Sequence, residues 1–273
     1  MRFSANLGFL WADRPLPEAI RAAKAAGFDA VECHWPYDTP AAETLAALTE
    51  TGMTMLGLNT RRGNTDIGEN GLSALPGREA EARVAIDEAL GYAHETGTHA
   101  VHVMAGFSGG PRAHQTFREN LIYACGQAAD RGITILIEPL NHYDAPGYFL
   151  STSEQAAALI HEIQRDNLKM MFDCYHLQIM EGDISRRLER LMPMIGHIQI
   201  ASVPDRSTPD HGELDYGHVL SEIDRLGWTR AVGAEYRPNG PTDKSLDWLR
   251  ERERRTVEEA AGRAAAPSGA QSS

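Results

Sequence analysis

Short apolar runs alternate with longer amphipathic stretches along this chain. The runs are RFSANLGF (2–9), DAVECHW (29–35), MTMLGLNT (53–60), THAVHVMAG (98–106), GITILIEPLN (132–141), NLKMMFD (167–173), IGHIQIAS (195–202) and RAVGAEYRP (230–238). Their length and apolar density predict strands that stay dry on both faces. The stretches between them, such as LPEAIRAAKAAGF and SEQAAALIHEIQR, carry apolar residues at helical spacing. Four of the helices should stop at a glycine just before the next run, at Gly27, Gly52, Gly97 and Gly132. Ser151 with Glu154 reads as a capping box opening another.

Strict strand–helix alternation implies a parallel sheet. Eight units in about 250 residues is the size of a single-domain (β/α)8 TIM barrel. A doubly wound sheet is the competing reading, but no GxGxxG follows the first run and no Walker motif is present. The barrel is assigned residues 1–258. The remainder, 259–273, lies in a stretch poor in large apolar residues and is expected to be a disordered tail.

Composition narrows the partners. Lys and Arg number 26 against 38 Asp and Glu, a net charge of −12, which repels phosphate backbones and disfavours nucleic acid. Nothing resembles a signal peptide or a membrane span, so the cytoplasm is the expected compartment. Cys33, Cys125 and Cys174 form no CxxC and no even set, so reduced, buried thiols are expected. GFSGGP (106–111) lacks the Lys-Ser/Thr that would make it a phosphate loop.

In such a barrel, chemistry sits where strands end. Run five ends at Glu138 and run six at Asp173, run seven carries Gln199, and run eight carries Glu235. Four consecutive strands thus present oxygen donors. Three carboxylates at one mouth repel, by roughly 4 kcal/mol per pair at ~4 Å and an effective dielectric of ~20. Protonation, basic partners or a divalent cation must offset this. A cation is the simplest answer, and an all-oxygen set favours Mg²⁺ or Mn²⁺ over zinc. Arg206 can clamp a carboxylate. His176, three residues after Asp173, can orient a substrate oxygen or move a proton. His102 is a wall candidate, as are Trp11, His34 and Trp35.

The stretches GFDAVECHWPYD, NTRRGNTDIGENGLSALPGRE, IEPLNHYDAPGYFLSTSEQA, MFDCYHLQIMEGD, GHIQIASVPDRSTPDHGELDY and GAEYRPNG together resemble the hydroxypyruvate isomerase family of the xylose-isomerase-like TIM-barrel superfamily, over about residues 1–250. That resemblance implies a divalent cation held by Glu138, Asp173, Gln199 and Glu235, with Glu138 and Glu235 as the proton-transferring pair. It implies interconversion of hydroxypyruvate and tartronate semialdehyde through an enediolate; His176, Arg206 and His102 are, from their positions, the candidate substrate contacts. The similar ketose 3-epimerases usually carry His where this chain has Gln199, whereas 2-oxo-tetronate isomerases share the Gln. A metal-dependent dehydratase or lyase and a sugar-acid binding protein stay open as other classes. So does homo-oligomerisation, and the partner is a small hydroxy or oxo acid or a sugar.

Overall fold

Each of the eight apolar runs contains a strand in the computed structural model, which describes residues 1–251. The order is β1 (Phe3–Asn6), α1 (Leu16–Ala25), β2 (Ala30–Glu32), α2 (Ala41–Thr51), β3 (Leu58–Asn59), α3 (Glu79–Thr96), β4 (Ala100–His102), α4 (Gly110–Ala129), β5 (Thr134–Ile137) and α5 (Ser153–Ile163). There follow β6 (Leu168–Asp173), α6 (Cys174–Met180), α7 (Ile184–Leu191), β7 (Ile195–Ile200), α8 (Tyr216–Arg225) and β8 (Val232–Ala234). The expected boundary at 258 and the tail 259–273 lie outside the described residues.

All strand pairs are parallel, in the circular order β2-β1-β8-β7-β6-β5-β4-β3. The ring closes between β2 and the segment leading into β3. There Val31 N–H donates to Thr54, Leu56 N–H to Val31, and Cys33 N–H to Gly57. This is the (β/α)8 barrel expected from the alternation.

The helices shield the outside of this ring. In α4 the buried positions are Ala113, Thr116, Phe117, Asn120, Leu121, Ala124, Cys125 and Ala128. That i, i+3, i+4 stripe faces the sheet, and its alanines let the helix lie close. The four expected glycines all follow their helices with positive φ. The α5 cap differs by one residue from expectation. Thr152, not Ser151, is the N-cap and accepts from Gln155 N–H, while the Gln155 side chain accepts from Ser151 N–H. Glu154 instead pairs with Arg187 and Arg190, because two cations of α7 lie within its reach.

Alternation along the strands positions the site. Ala100, Leu136 and Met171 form an apolar cluster of their own inside the ring. Two residues further along the same strands stand His102, Glu138 and Asp173, which share that inward face by the two-residue period. Register pairs Asp173 with Gln199 and Gln199 with Gly233, two residues before Glu235. Gly233 leaves room for a polar layer: a Cβ there would fall 2.3 Å from Glu32 Oε1 and 2.9 Å from both Gln199 Cγ and His197 Nε2.

Candidate active site

Three of the four expected donors, Glu138, Asp173 and Glu235, come together at the C-terminal mouth of the barrel. One ligand atom each from Glu138, Asp173, His176 and Glu235 lies within 4.8 Å of the others, and all four residues are buried. They line a cavity of about 300 Å³ together with His34, Trp35, Arg62, His102, Asp144 and Arg206, apart from Asp173, which sits just beneath it.

The two glutamates have opposite surroundings. Glu235 is engaged on both oxygens: Asn6 Nδ2 donates to Oε1 (2.9 Å), His34 Nε2 lies 2.9 Å from the same oxygen, and Arg206 Nη2 donates to Oε2 (2.5 Å). Burial alone would raise its pKa, but the Arg206 cation and the His34 hydrogen bond hold it well below the usual carboxylate range. Glu138 has a buried Oε1 with no hydrogen-bond partner among the described residues. Burial, then the charges of Glu235 and Asp173, push its carboxyl well above the usual range. Asp173 divides its oxygens. Oδ1 accepts from Tyr175 N–H (2.8 Å) and caps α6, whereas Oδ2 is buried with no hydrogen-bond partner among the described residues. Burial and the Glu235 charge push Asp173 up to about 8.

Arg206, expected to clamp a carboxylate, is a basic partner in this chamber. It bonds Glu235, lies 3.0 Å from Asp144 Oδ2 and 3.7 Å from Asp173 Oδ2, and sits between the Phe9 and Tyr175 rings. One cation among three buried carboxylates offsets only part of their repulsion. The unpartnered atoms show where the rest is felt. His176 Nε2 is 3.6 Å from Asp173 Oδ2 and 3.9 Å from Glu138 Oε1, too far to hydrogen-bond. Carboxylate oxygens of Glu138, Asp173 and Glu235 lie within 4.8 Å of one another, and Glu138 Oε1 and Asp173 Oδ2 are unpartnered among the described residues, an all-oxygen setting that suits a small divalent cation.

His176 is excluded as a ligand by its tautomer. Its Nδ1 faces the backbone N–H of Asn141 at 3.0 Å and Asn141 Nδ2 at 2.8 Å. A backbone N–H only donates, so Nδ1 must accept. Burial and the Arg206 cation depress the ring's pKa well below its ordinary value, so it is neutral. Its single proton is then on Nε2, which points at the carboxylates as a donor. Gln199 has the opposite disposition. Its Nε2 donates to Glu32 Oε1 (3.4 Å), which leaves Oε1 buried without a partner among the described residues. An amide oxygen in that state suits a hard cation. His102 lies 3.5 Å from Glu138 Oε2 and is held neutral by burial, its pKa pushed down to about 4.

A model of the xylose isomerase-like TIM barrel family matches residues 20–252. The chain belongs to this family. It is 45% identical to the 2-oxo-tetronate isomerase of Cupriavidus necator over 91% of this chain and 97% of that one. It is 35% identical to the hydroxypyruvate isomerase of Escherichia coli over 91% and 98%. A solved structure from Brucella melitensis described as AP endonuclease, family 2, superposes with a TM-score of 0.88 at 39% identity, covering 92% of this chain and 98% of that one. As in these curated family members, the enzyme class is isomerase.

Of the expected wall residues, His34 and Trp35 line the cavity. Trp11 does not. It is 1% exposed, packs edge-on to Phe28 and donates to Asp243, because the chain turns inward after β1. Sequence reasoning missed Asn6, Glu32 and Asp144. Asn6 and Glu32 end the first two strands, so the strand-end rule applied to runs five to eight would have found them. Asp144 sits in a loop and becomes visible only through Arg206.

Proposed function

We propose that the protein is a divalent-metal-dependent isomerase that moves a carbonyl between adjacent carbons of a short 2-oxo or hydroxy acid. Hydroxypyruvate and tartronate semialdehyde are the first pair. The observation that carries this is the chamber of buried, facing carboxylates, with unpartnered oxygens on Glu138 and Asp173 and with Glu235 held by Arg206 opposite. The 45% identity to a 2-oxo-tetronate isomerase supports a second, four-carbon reading on the same residues.

Glu138, Asp173, Gln199 and Glu235 are the residues that would hold the cation. Bound there, Mg²⁺ or Mn²⁺ would supply Lewis-acid stabilisation of the charge that develops on the two substrate oxygens. Glu138 and Glu235 approach from different strands and carry the proton, one removing it from the hydroxyl-bearing carbon and the other returning it to the neighbour. Positioned acid–base groups of this kind contribute about 10²–10⁴-fold. Arg206 keeps Glu235 ionised, and Asn6 and His34 fix that carboxylate's orientation. His176 offers its Nε2–H to a substrate oxygen, and Asn141 locks the tautomer that makes this possible. His102 fills the wall beside Glu138 as a neutral ring.

The test is a panel of hydroxypyruvate, 2-oxo-tetronate and neutral ketoses, followed by proton NMR in D₂O with Mg²⁺, with Mn²⁺ and with chelator. The expected result is a mass-conserving conversion of an acid, deuterium at the carbon bearing the moved proton, and loss of turnover on chelation. Loss of water from the substrate, or undiminished activity after exhaustive chelation, would overturn the proposal.

A further inference from the structure

Three arginines line the cavity, and their circumstances differ. Arg206 is buried and engaged by Glu235, Asp144 and Asp173. Arg237 is exposed at the rim, with its guanidinium 5.6 Å from the Phe9 ring. Arg62 is half-buried, with its guanidinium 3.9 Å over the face of Trp35. Among the described residues no carboxylate pairs with it. Its neighbour Arg61 shows the ordinary alternative, turning outward to Glu88.

Arg62 is held in place from both sides. Trp35 is fixed by a hydrogen bond from Nε1 to the Thr60 carbonyl (3.1 Å). The Arg62 carbonyl accepts from Gly71 N–H (2.8 Å). Gly71 lies flat on the exit of β4, where a Cβ would come within 2.7 Å of Met104 O and Gly106 N. Glu69 closes the loop by accepting from Asn64 N–H (2.6 Å) and pairing with Arg78 (2.8 Å). Stacking covers one face of the guanidinium and leaves its in-plane N–H donors for a ligand. The wall continues to the reacting end. The Trp35 ring is 5.0 Å from His34, and His34 holds Glu235.

We infer that Arg62, stacked on Trp35, is the receptor for the substrate's carboxylate and makes this site select acids over neutral ketoses. The inference rests on the proposed isomerase reading, whose residues take the other end of the substrate. A guanidinium presents two parallel donors to a carboxylate, whereas a neutral hydroxymethyl group can use only one and gains no charge.

The experiment is isothermal titration of the full chain, with saturating Mg²⁺, using D-glycerate as the acid probe and dihydroxyacetone as the neutral one. Wild type should prefer glycerate. Arg62→Gln should bind glycerate about 10- to 100-fold more weakly, the loss expected for a charge-assisted pair. Arg62→Lys should recover part of that loss. Unchanged dihydroxyacetone binding in Arg62→Gln reports an intact pocket. Equal weakening of both probes, no weakening, or no preference in wild type would overturn the inference. Hydroxypyruvate turnover on the same proteins separates the two readings. Arg62-dependent glycerate binding without isomerisation would sink the reaction and keep the carboxylate site. Isomerisation with an unaltered KM in Arg62→Gln would do the reverse.

Discussion

Glu138→Gln removes one ionisable group from the barrel mouth at nearly constant size. In metal-free protein this should stabilise the fold while abolishing the chemistry. Glu138 is buried, its Oε1 has no hydrogen-bond partner among the described residues, and it shares the chamber with Asp173 and Glu235. A like charge at 4–5 Å costs about 3–4 kcal/mol at an effective dielectric of ~20. Arg206 returns part of that, so a net gain of about 1–3 kcal/mol is expected once Glu138 would be ionised. The sign follows from the raised pKa. The folded chain keeps a proton that the unfolded chain gives up near 4.5. That contribution is fully present below the unfolded value and is lost as pH rises toward the folded one. Wild type and variant should therefore melt alike near pH 5 and separate toward pH 8.5, with the variant higher. At roughly 2–4 °C per kcal/mol for a chain of this size, the separation reaches several degrees. Thermal melts in EDTA at pH 5, 7 and 8.5 measure it. Solvent-proton exchange into substrate should fall about 10²–10⁴-fold in the same variant with metal restored. A variant less stable than wild type at pH 8.5, or a difference that ignores pH, would refute the reasoning.

Two further outcomes follow from the same chamber. Burial pushes Asp173 up to about 8 and Glu138 well above its usual range, so Mg²⁺ or Mn²⁺ binding at pH 7 should release protons. Calorimetry in buffers of different ionisation enthalpy reads this as roughly one to two protons per ion, and a buffer-independent heat would contradict it. Gly233→Ala drives a Cβ into Glu32 Oε1, His197 and Gln199, so it should cost about 1–3 kcal/mol and weaken metal binding through Gln199. Denaturant melts and Mn²⁺ titration followed by electron paramagnetic resonance test both effects, and an unperturbed variant would show that the polar layer has slack.

Local rules made much of this protein legible. Two-residue alternation in strands and 3.6-residue periodicity in helices are properties of the backbone, so eight runs separated by amphipathic stretches predict the barrel without knowledge of any contact. The same logic placed Glu138, Asp173, Gln199 and Glu235 at strand ends. It was less exact where a choice depends on neighbours within a turn: Thr152 displaced Ser151 as cap.

What sequence could not carry is the state of each group, because that depends on atoms distant in the chain. Asn6 and Glu235 are 229 residues apart and share a hydrogen bond. Arg206 and His34, also distant in the chain, hold the Glu235 carboxyl low, whereas burial pushes that of Glu138 up. His176 sits three residues from Asp173 in sequence, but its tautomer is set by Asn141, 35 residues away. Trp11 and Trp35 look alike as aromatic residues after a strand, yet one is core and the other carries Arg62 over the cavity. Residue types and their periods determined the fold and the oxygen donors. Closure of the ring, by bringing distant charges within a few ångströms in a dry chamber, decided which donors are paired and which stand open to a ligand.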